Sequence, residues 1–590
     1  MNSMKSMTSM NSMTSMKSTA PNARRSRSTE RLAILLVPLL FIGIFILPLA
    51  LRPMVVPDEA RYAVIPSEMI ETGEWVVPHL LGVRYFEKPV LGYWMTAVSF
   101  LGFGENAFAL RLPAALMTGF SAGVLMMFVR RWTRRWDLTA IAAMVFMTSL
   151  EVSILGTTAI LDAPFTGMVT ASIAFFFFGW RATGPPRFGW LVASGIACGC
   201  AFLIKGFLAI AIPGIVLAPW LLWQREWRSL FTLPWVPGIA AILVVLPWGF
   251  AVHDRAPEFW DYFFWVEHIN RYTGGADAQH PEEWWFFIPI FALGLFPWIL
   301  TLPFVILGVR RLGIQSPEIR LLLCWTFIPL AFFSFSSGKL PTYILPCFAP
   351  AAVLITFGLV EFFATAPKKR TYGEWILIPL GLLLMAITPF MPLDPSLGSA
   401  WNDGGEWRLA ILATVLLVWG FFDHRSQSTL SPTRRVLLGT LGPALGFAVA
   451  PACMPTGWMK ISKAPVAWLE RLSPLTSRSL VLVDASLMHA ARWAWPEAEI
   501  RLFSSAGELT WGIENFDEHG DWFIEDSEFP PFLDGATLGR PLVILTDDPQ
   551  GQRAWFEQLV TTNDLAAPAY LVDRGVLLTV WPAEALPSAP

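Results

Sequence analysis

The sequence predicts an all-α polytopic membrane domain of about thirteen spans followed by a soluble α/β domain. Three observations carry that expectation. The 590 residues are 54% hydrophobic and only 15% charged, with a mean hydropathy of +0.52, whereas a soluble chain carries about 25% charged residues. Apolar runs of roughly 20 residues, the length that spans the hydrocarbon core, recur along most of the chain. Charge is also segregated: from Thr456 onward there are 19 Asp and Glu against 9 Lys and Arg, a net of −10, while the residues before it are net basic at +7.

In chain order, residues 1–31 form a Met/Ser/Thr leader ending in Arg24, Arg25, Arg27 and Arg31. It has no means of forming a core and is expected to be disordered and cytoplasmic. The run at 32–51 exceeds the ~7–15 residues of a signal-peptide core and is read as the first span. Further runs fall near 108–129, 138–155, 160–180, 189–204, 206–223, 231–252, 284–308, 319–336, 341–364, 373–392, 407–422 and 435–454. Alternate connections are basic, at Arg130–Arg135, Arg181–Arg187, Arg225–Arg228, Arg310–Arg311, Lys368–Arg370 and Arg425–Arg435. The positive-inside rule puts those in the cytoplasm. An odd count then leaves the long connections 52–107 and 253–283 outside, together with an α/β domain over 456–590. That tail alternates β-rich runs such as Ser479–Asp484 and Pro541–Asp547 with helical stretches.

Cysteine excludes more than it implies. Four of five (Cys198, Cys200, Cys324, Cys347) lie in apolar runs, Cys453 near the end of the last, and no C-x-x-C pair occurs. The tail beyond Cys453 has none and needs no disulfide in an oxidising compartment. No nucleic-acid footprint is present.

The outside connections hold the chemistry-bearing residues. Asp58-Glu59-Ala60-Arg61-Tyr62 follows the first span directly. Asp58 is either an N-cap, accepting backbone N–H groups, or half of an acidic pair poised for acid/base or metal work. In Tyr85-Phe86-Glu87-Lys88-Pro89 the proline opens a helix, so Glu87 and Lys88 sit at its N-terminus. That is a phosphate seat or an exposed Glu–Lys turn. In Glu267-His268-Ile269-Asn270-Arg271 a helix would place His268 and Arg271 on one face, offering a metal ligand and a phosphate clamp. His268 reads equally well as a hydrogen-bonded structural residue. Lys339 and Tyr343, in a Gly/Pro-rich turn, are expected at the lipid headgroup level. Asp162 and Lys205 are single charges beside apolar runs, where charge is costly and usually paired; a pair with each other or with Arg61 would be structural support. A transporter would carry its charges near the midplane in repeated halves. Here they gather at one interface, and no internal repeat is evident.

Four ordered motifs, D-E-A-R-Y (58–62), Gly73–Trp94 (containing V-R-Y-F-E-K-P-V-L-G-Y-W), E-H-I-N-R-Y (267–272) and G-K-L-P-T-Y-I-L-P-C-F-A-P (338–350), closely resemble the lipid A aminoarabinose transferases. These belong to a large class of membrane glycosyltransferases that includes protein mannosyltransferases and oligosaccharyltransferases, and the fold implied is the membrane glycosyltransferase C-type. The resemblance covers roughly Pro57–Pro350; beyond it only the layout agrees, and the leader differs. It implies that undecaprenyl phosphate carries 4-amino-4-deoxy-L-arabinose, which passes with inversion to a lipid A phosphate at the periplasmic face of the bacterial inner membrane. It also implies catalytic roles for Asp58, Glu87 and Asp162, and donor-phosphate contacts from Lys88, Arg271, Tyr343 and Tyr85. Arg61, Lys205 and Lys339 are supporting residues on the same grounds. A divalent cation (zinc, or magnesium or manganese) would rest on Glu87 and His268, and no organic cofactor is expected. Partners would be the lipid-linked sugar, lipid A and membrane lipids, with the chain a monomer. A relative with another sugar, a relative with a protein or glycan acceptor, and a lipid-linked-sugar flippase are the alternatives. Asp58 would be a base toward a hydroxyl acceptor, or would position an already ionised phosphate.

Overall fold

The computed structural model describes residues 23–270, 282–365, 373–387, 407–427, 431–453, 465–515, 522–536, 540–563, 566–573 and 575–585. Among them, nine helices are long and apolar enough to cross a membrane, or ten if Phe287–Gly294 and Trp298–Leu312, bent by 92°, form one span. The protein is therefore a multi-pass membrane protein. The difference from about thirteen lies in the runs 138–155, 206–223 and 373–392, which form the shorter apolar helices Trp136–Met147, Leu208–Gln224 and Leu377–Ala386. Their apolar sequence is as expected, but the first helix stops at Thr148 inside its run, and the second, closed by a left-handed Arg225, is only 17 residues long; the third run continues past Ile387, outside the described residues. The leader reading also shifts, because Ala23–Phe41 is helical and runs into the first span; residues 1–22 lie outside the described residues.

The connection after the first span is a small structure of its own. The Asp58–Thr72 helix ends at Gly73, whose φ of 71° supplies the left-handed cap. A two-residue-per-strand hairpin follows, β1 (His79–Leu80) antiparallel to β2 (Val83–Arg84), and then the Leu91–Phe103 helix. In the second long connection, Tyr262–Asn270 is wound as a π-helix, a rare geometry that recurs at functional sites.

Residues 465–585 build an α/β layer around a six-stranded sheet. Its strands are β3 (Leu480–Val483), β4 (Glu499–Phe503), β5 (Phe523–Ile524), β6 (Leu542–Thr546), β7 (Ala569–Asp573) and β8 (Val576–Trp581), in the order β5-β4-β3-β6-β8-β7. The first four run parallel, and β8 and β7 are antiparallel additions. Strands β3 and β6, Leu-Val-Leu-Val and Leu-Val-Ile-Leu-Thr, are buried at every position, as parallel strands covered on both faces must be.

This unit is seated on the first long connection. Gly512 comes so close to the hairpin that a Cβ there would lie 2.6 Å from Val83 and 2.9 Å from the Arg84 carbonyl. Around that contact Trp511 packs on Phe86 (5.4 Å) and Tyr262 (4.7 Å), and Trp493 on Phe100 (5.8 Å). Arg492 bonds Glu71 at 2.9 Å. Both long connections and the α/β unit therefore share one side of the membrane helices, whatever the number of spans.

Candidate active site

The acidic pair at the start of the Asp58–Thr72 helix divides into two different residues. Pro57 occupies the N-cap position and no side chain caps the helix, so Asp58 is not the cap; its side chain is 60% exposed. Glu59 is fully buried. Its carboxylate accepts from Arg52 (2.8 and 2.8 Å), Arg111 (2.8 and 2.9 Å) and the backbone N–H groups of Val55 and Ala159 (3.0 and 2.9 Å). Burial pushes the Glu59 pKa up, but the two guanidinium groups outweigh it and hold the acid at about 2. Glu59 is thus spent on structure, and only Asp58 of the pair is open to chemistry.

One turn on, Arg61 faces the α/β unit. Its Nε and a terminal nitrogen bond the two oxygens of Glu508 at 3.0 and 2.8 Å, while another nitrogen stands 3.9 Å from Asp58. The Tyr85 hydroxyl donates to Glu508 at 3.2 Å and His489 Nε2 at 2.6 Å. Burial raises the Glu508 pKa, and Arg61 and His489 overcome that and keep it at about 2.

Lys88 lies between two carboxylates. Its ammonium bonds Glu267 and, at 3.0 Å, the carbonyl of Glu87, with the Glu87 carboxylate at 3.9 Å. Burial and the neighbouring Glu267 push the Glu87 pKa up against the pull of Lys88. This cluster is mostly covered, with side chains 11–12% exposed, not the exposed Glu–Lys turn.

Asp162 is the first residue of one spanning helix and Lys205 the last of the next. Antiparallel packing brings these ends together in a 2.6 Å ion pair, with each charge at the helix terminus that favours it. Tyr343 lies against the pair, its ring 5.1 Å from the Lys205 ammonium. Lys339 departs from expectation: it is buried and donates to the Glu282 carbonyl at 2.6 Å, since the turn folds back under residue 282. Arg271 lies outside the described residues.

Tyr62 stacks on Tyr93, ring centroids 6.1 Å apart. Burial pushes its phenol up, Arg61 pulls it down, and Asp58, Asp162 and Glu87 each push it up again.

The chain is 36% identical over 527 residues to the undecaprenyl phosphate-α-4-amino-4-deoxy-L-arabinose arabinosyl transferase of Aeromonas salmonicida, covering 87% of this chain and 94% of that one. It is 34% identical over 564 residues to the enzyme of that name from Shewanella sediminis, covering 94% and 98%. The chain belongs to this transferase family. It is a membrane glycosyltransferase. The dolichyl-phosphate-mannose-protein mannosyltransferase family matches residues 31–263. The fold of this transferase is shared with the crystal structure of ArnT from Cupriavidus metallidurans bound to undecaprenyl phosphate, at a TM-score of 0.76 and 23% identity over 94% of this chain and 99% of that one.

The expected cation pair does not fit the transferase as built. His268 donates from Nδ1 to the Phe263 carbonyl at 2.7 Å, and its Nε2 accepts the Phe207 N–H at 3.3 Å. Burial lowers its pKa, against the pull of Phe263, so the ring is neutral with both nitrogens engaged. Among the described residues no group of three or more His, Cys, Asp or Glu could hold a metal ion. Sequence reasoning missed Glu508 and His489, which carry no local motif. It also missed Arg111, although an arginine inside the Ala107–Thr133 span should have announced a buried partner.

Proposed function

We propose that this transferase moves 4-amino-4-deoxy-L-arabinose from undecaprenyl phosphate to a phosphate of lipid A, at the periplasmic face of the bacterial inner membrane and with inversion. The chain of contacts Asp58–Arg61–Glu508–Tyr85 carries the reading, because it joins the exposed Asp58 to the segment that bears Glu87 and Lys88. A phosphate oxygen of the acceptor attacks the anomeric carbon. The bond to the lipid phosphate breaks, its electron pair staying on the departing phosphate. Lys88 meets that developing charge, two of its three N–H groups being used on Glu267 and Glu87 and the third left for a phosphate oxygen. Arg271 and Tyr343 join it as further donors. The acceptor phosphate arrives ionised, so Asp58 positions it and offsets positive charge growing on the sugar ring. The Asp162–Lys205 pair holds Tyr343 in place, and Lys339 anchors the same turn. No step is assigned to a metal ion.

Lipid A from cells lacking the gene, complemented with the wild type or with Asp58→Asn, tests the chemistry by mass spectrometry. Only the wild type should add the aminopentose; another added mass, or unmodified lipid A with a glycosylated protein, would overturn the sugar or the acceptor. Single cysteines at Thr183 and Gly535, with the native five replaced, test the side. Gly535→Cys should react with an impermeant thiol reagent in spheroplasts and Thr183→Cys only after lysis; the reverse would overturn the periplasmic placement.

A further inference from the structure

We infer that Glu508, supplied by the α/β unit, is a positioning residue of the transfer site: it fixes the Arg61 guanidinium so that the remaining nitrogen faces Asp58. The inference rests on the reading of Asp58 as the acting carboxylate. Glu508 follows β4 in a turn that only a particular backbone permits. Ser504 and Gly507 have φ of 66° and 54°, and a Cβ on Gly507 would lie 2.7 Å from that of Ala485. The turn thrusts Glu508 out of the sheet layer and into the first long connection.

There its carboxylate meets Arg61 fork to fork, at 3.0 Å from Nε and 2.8 Å from a terminal nitrogen, the geometry that sets the guanidinium plane as well as its position. Tyr85 and His489 take the remaining lone pairs at 3.2 and 2.6 Å. A carboxylate with four such partners is held rigidly, even though His489 Nδ1 on its far side has no hydrogen-bond partner. The one Arg61 nitrogen left over is 3.9 Å from Asp58, whose side chain is otherwise 60% exposed. Asp58 therefore has its orienting partner on one side and open space for a ligand on the other, the relation of an acting group to its orienter. Glu508 is one of several ties between the α/β unit and the first long connection. The Trp511 and Trp493 stacks and the Arg492–Glu71 pair also join the two parts, and among these ties only the bonds of Glu508 reach Arg61 beside Asp58.

The test uses purified full-length enzyme with the lipid-linked aminopentose and lipid A. Glu508→Gln should lower kcat by about 10–150-fold, the weight of a charged hydrogen bond, with the donor KM within about twofold and Tm unchanged, the pattern of an interaction made only in the transition state. Arg492→Ala, at the same interface, should leave kcat at the wild-type level. In an Arg61→Lys background Glu508→Gln should cost little more, because both act through one group. Wild-type kcat in Glu508→Gln, an equal kcat loss in Arg492→Ala, or additive losses in the double variant would each overturn the positioning role. Should Glu508→Gln lower Tm, the double-variant comparison decides, since a docking defect would add to the Arg61→Lys loss. Asp58→Asn, assayed in parallel, separates the two levels: if it stays active the reading of the site fails, and if it is inactive while Glu508→Gln is not, only the positioning role fails.

Discussion

Around Glu59 two guanidinium groups serve one carboxylate, whereas around Lys88 two carboxylates share one ammonium. In the first region the surplus positive charge is absorbed by backbone carbonyls: Arg111 also donates to Leu49, Arg52 and Pro53. Every lone pair has a donor, and the acid is held at about 2. In the second the surplus is negative, and burial with Glu267 nearby drives the Glu87 pKa the other way. Saturation marks the clasp that ties the first span to the helix carrying Asp58. Imbalance marks the place where a ligand still has something to contribute.

The sharpest way to break this contrast is Glu59→Ala. It strands the buried Arg111 and the half-buried Arg52 and should cost about 3–5 kcal/mol, read as loss of membrane-inserted protein and of Tm in detergent; normal accumulation would mean that the clasp is dispensable. Asp58→Asn, one residue away, should do the reverse, lowering kcat about 10²–10³-fold, or roughly 3–4 kcal/mol, with Tm unchanged. Lys88→Ala should cost about 1.5–3 kcal/mol in kcat/KM for the donor, while acceptor dependence stays as it was; a change confined to acceptor dependence would remove Lys88 from the phosphate.

The smallest effects are in pH. A carboxylate lowered from the usual 4.5 to about 2, as Glu59 is, contributes stability that is full above 4.5 and is lost as pH falls from there to about 2. Glu87, raised above 4.5, has the opposite sign: its folded form keeps the proton longer, so stability falls as pH rises from 4.5 through the folded value. Glu87→Gln should therefore match the wild type in acid and gain Tm on it as pH rises. A Tm difference that is flat from pH 4 to pH 8 would remove the asymmetry between the two regions.

Much of this was legible in the sequence because membrane insertion writes itself into local composition. Apolar runs located the spans, and the lone charges Asp162 and Lys205 announced a pairing, with each other or with Arg61, of which the structure shows the first. Span number was less legible, since a run such as 138–155 does not reveal that its helix stops at Thr148. Asp58 stood out by position, but nothing local separated it from Glu59; that division needed Arg52 and Arg111, which come from two other segments. Lys339 was misread because the turn that buries it depends on residue 282, 57 positions away. Glu508 was invisible for the same reason on a larger scale, lying in a tail where the resembling motifs give out.

Glu508 and Arg61 are 447 residues apart, and that separation orders events during synthesis. At about 5–20 residues per second, roughly 20–90 seconds pass between the emergence of Arg61 and that of its carboxylate. Throughout that interval the loop bearing Asp58 has been made while its last oxygen ligand has not. A ribosome that stalls or terminates early therefore leaves a chain with spans inserted and an arginine unclaimed, and quality control has a chemical difference to read between a finished enzyme and a truncated one.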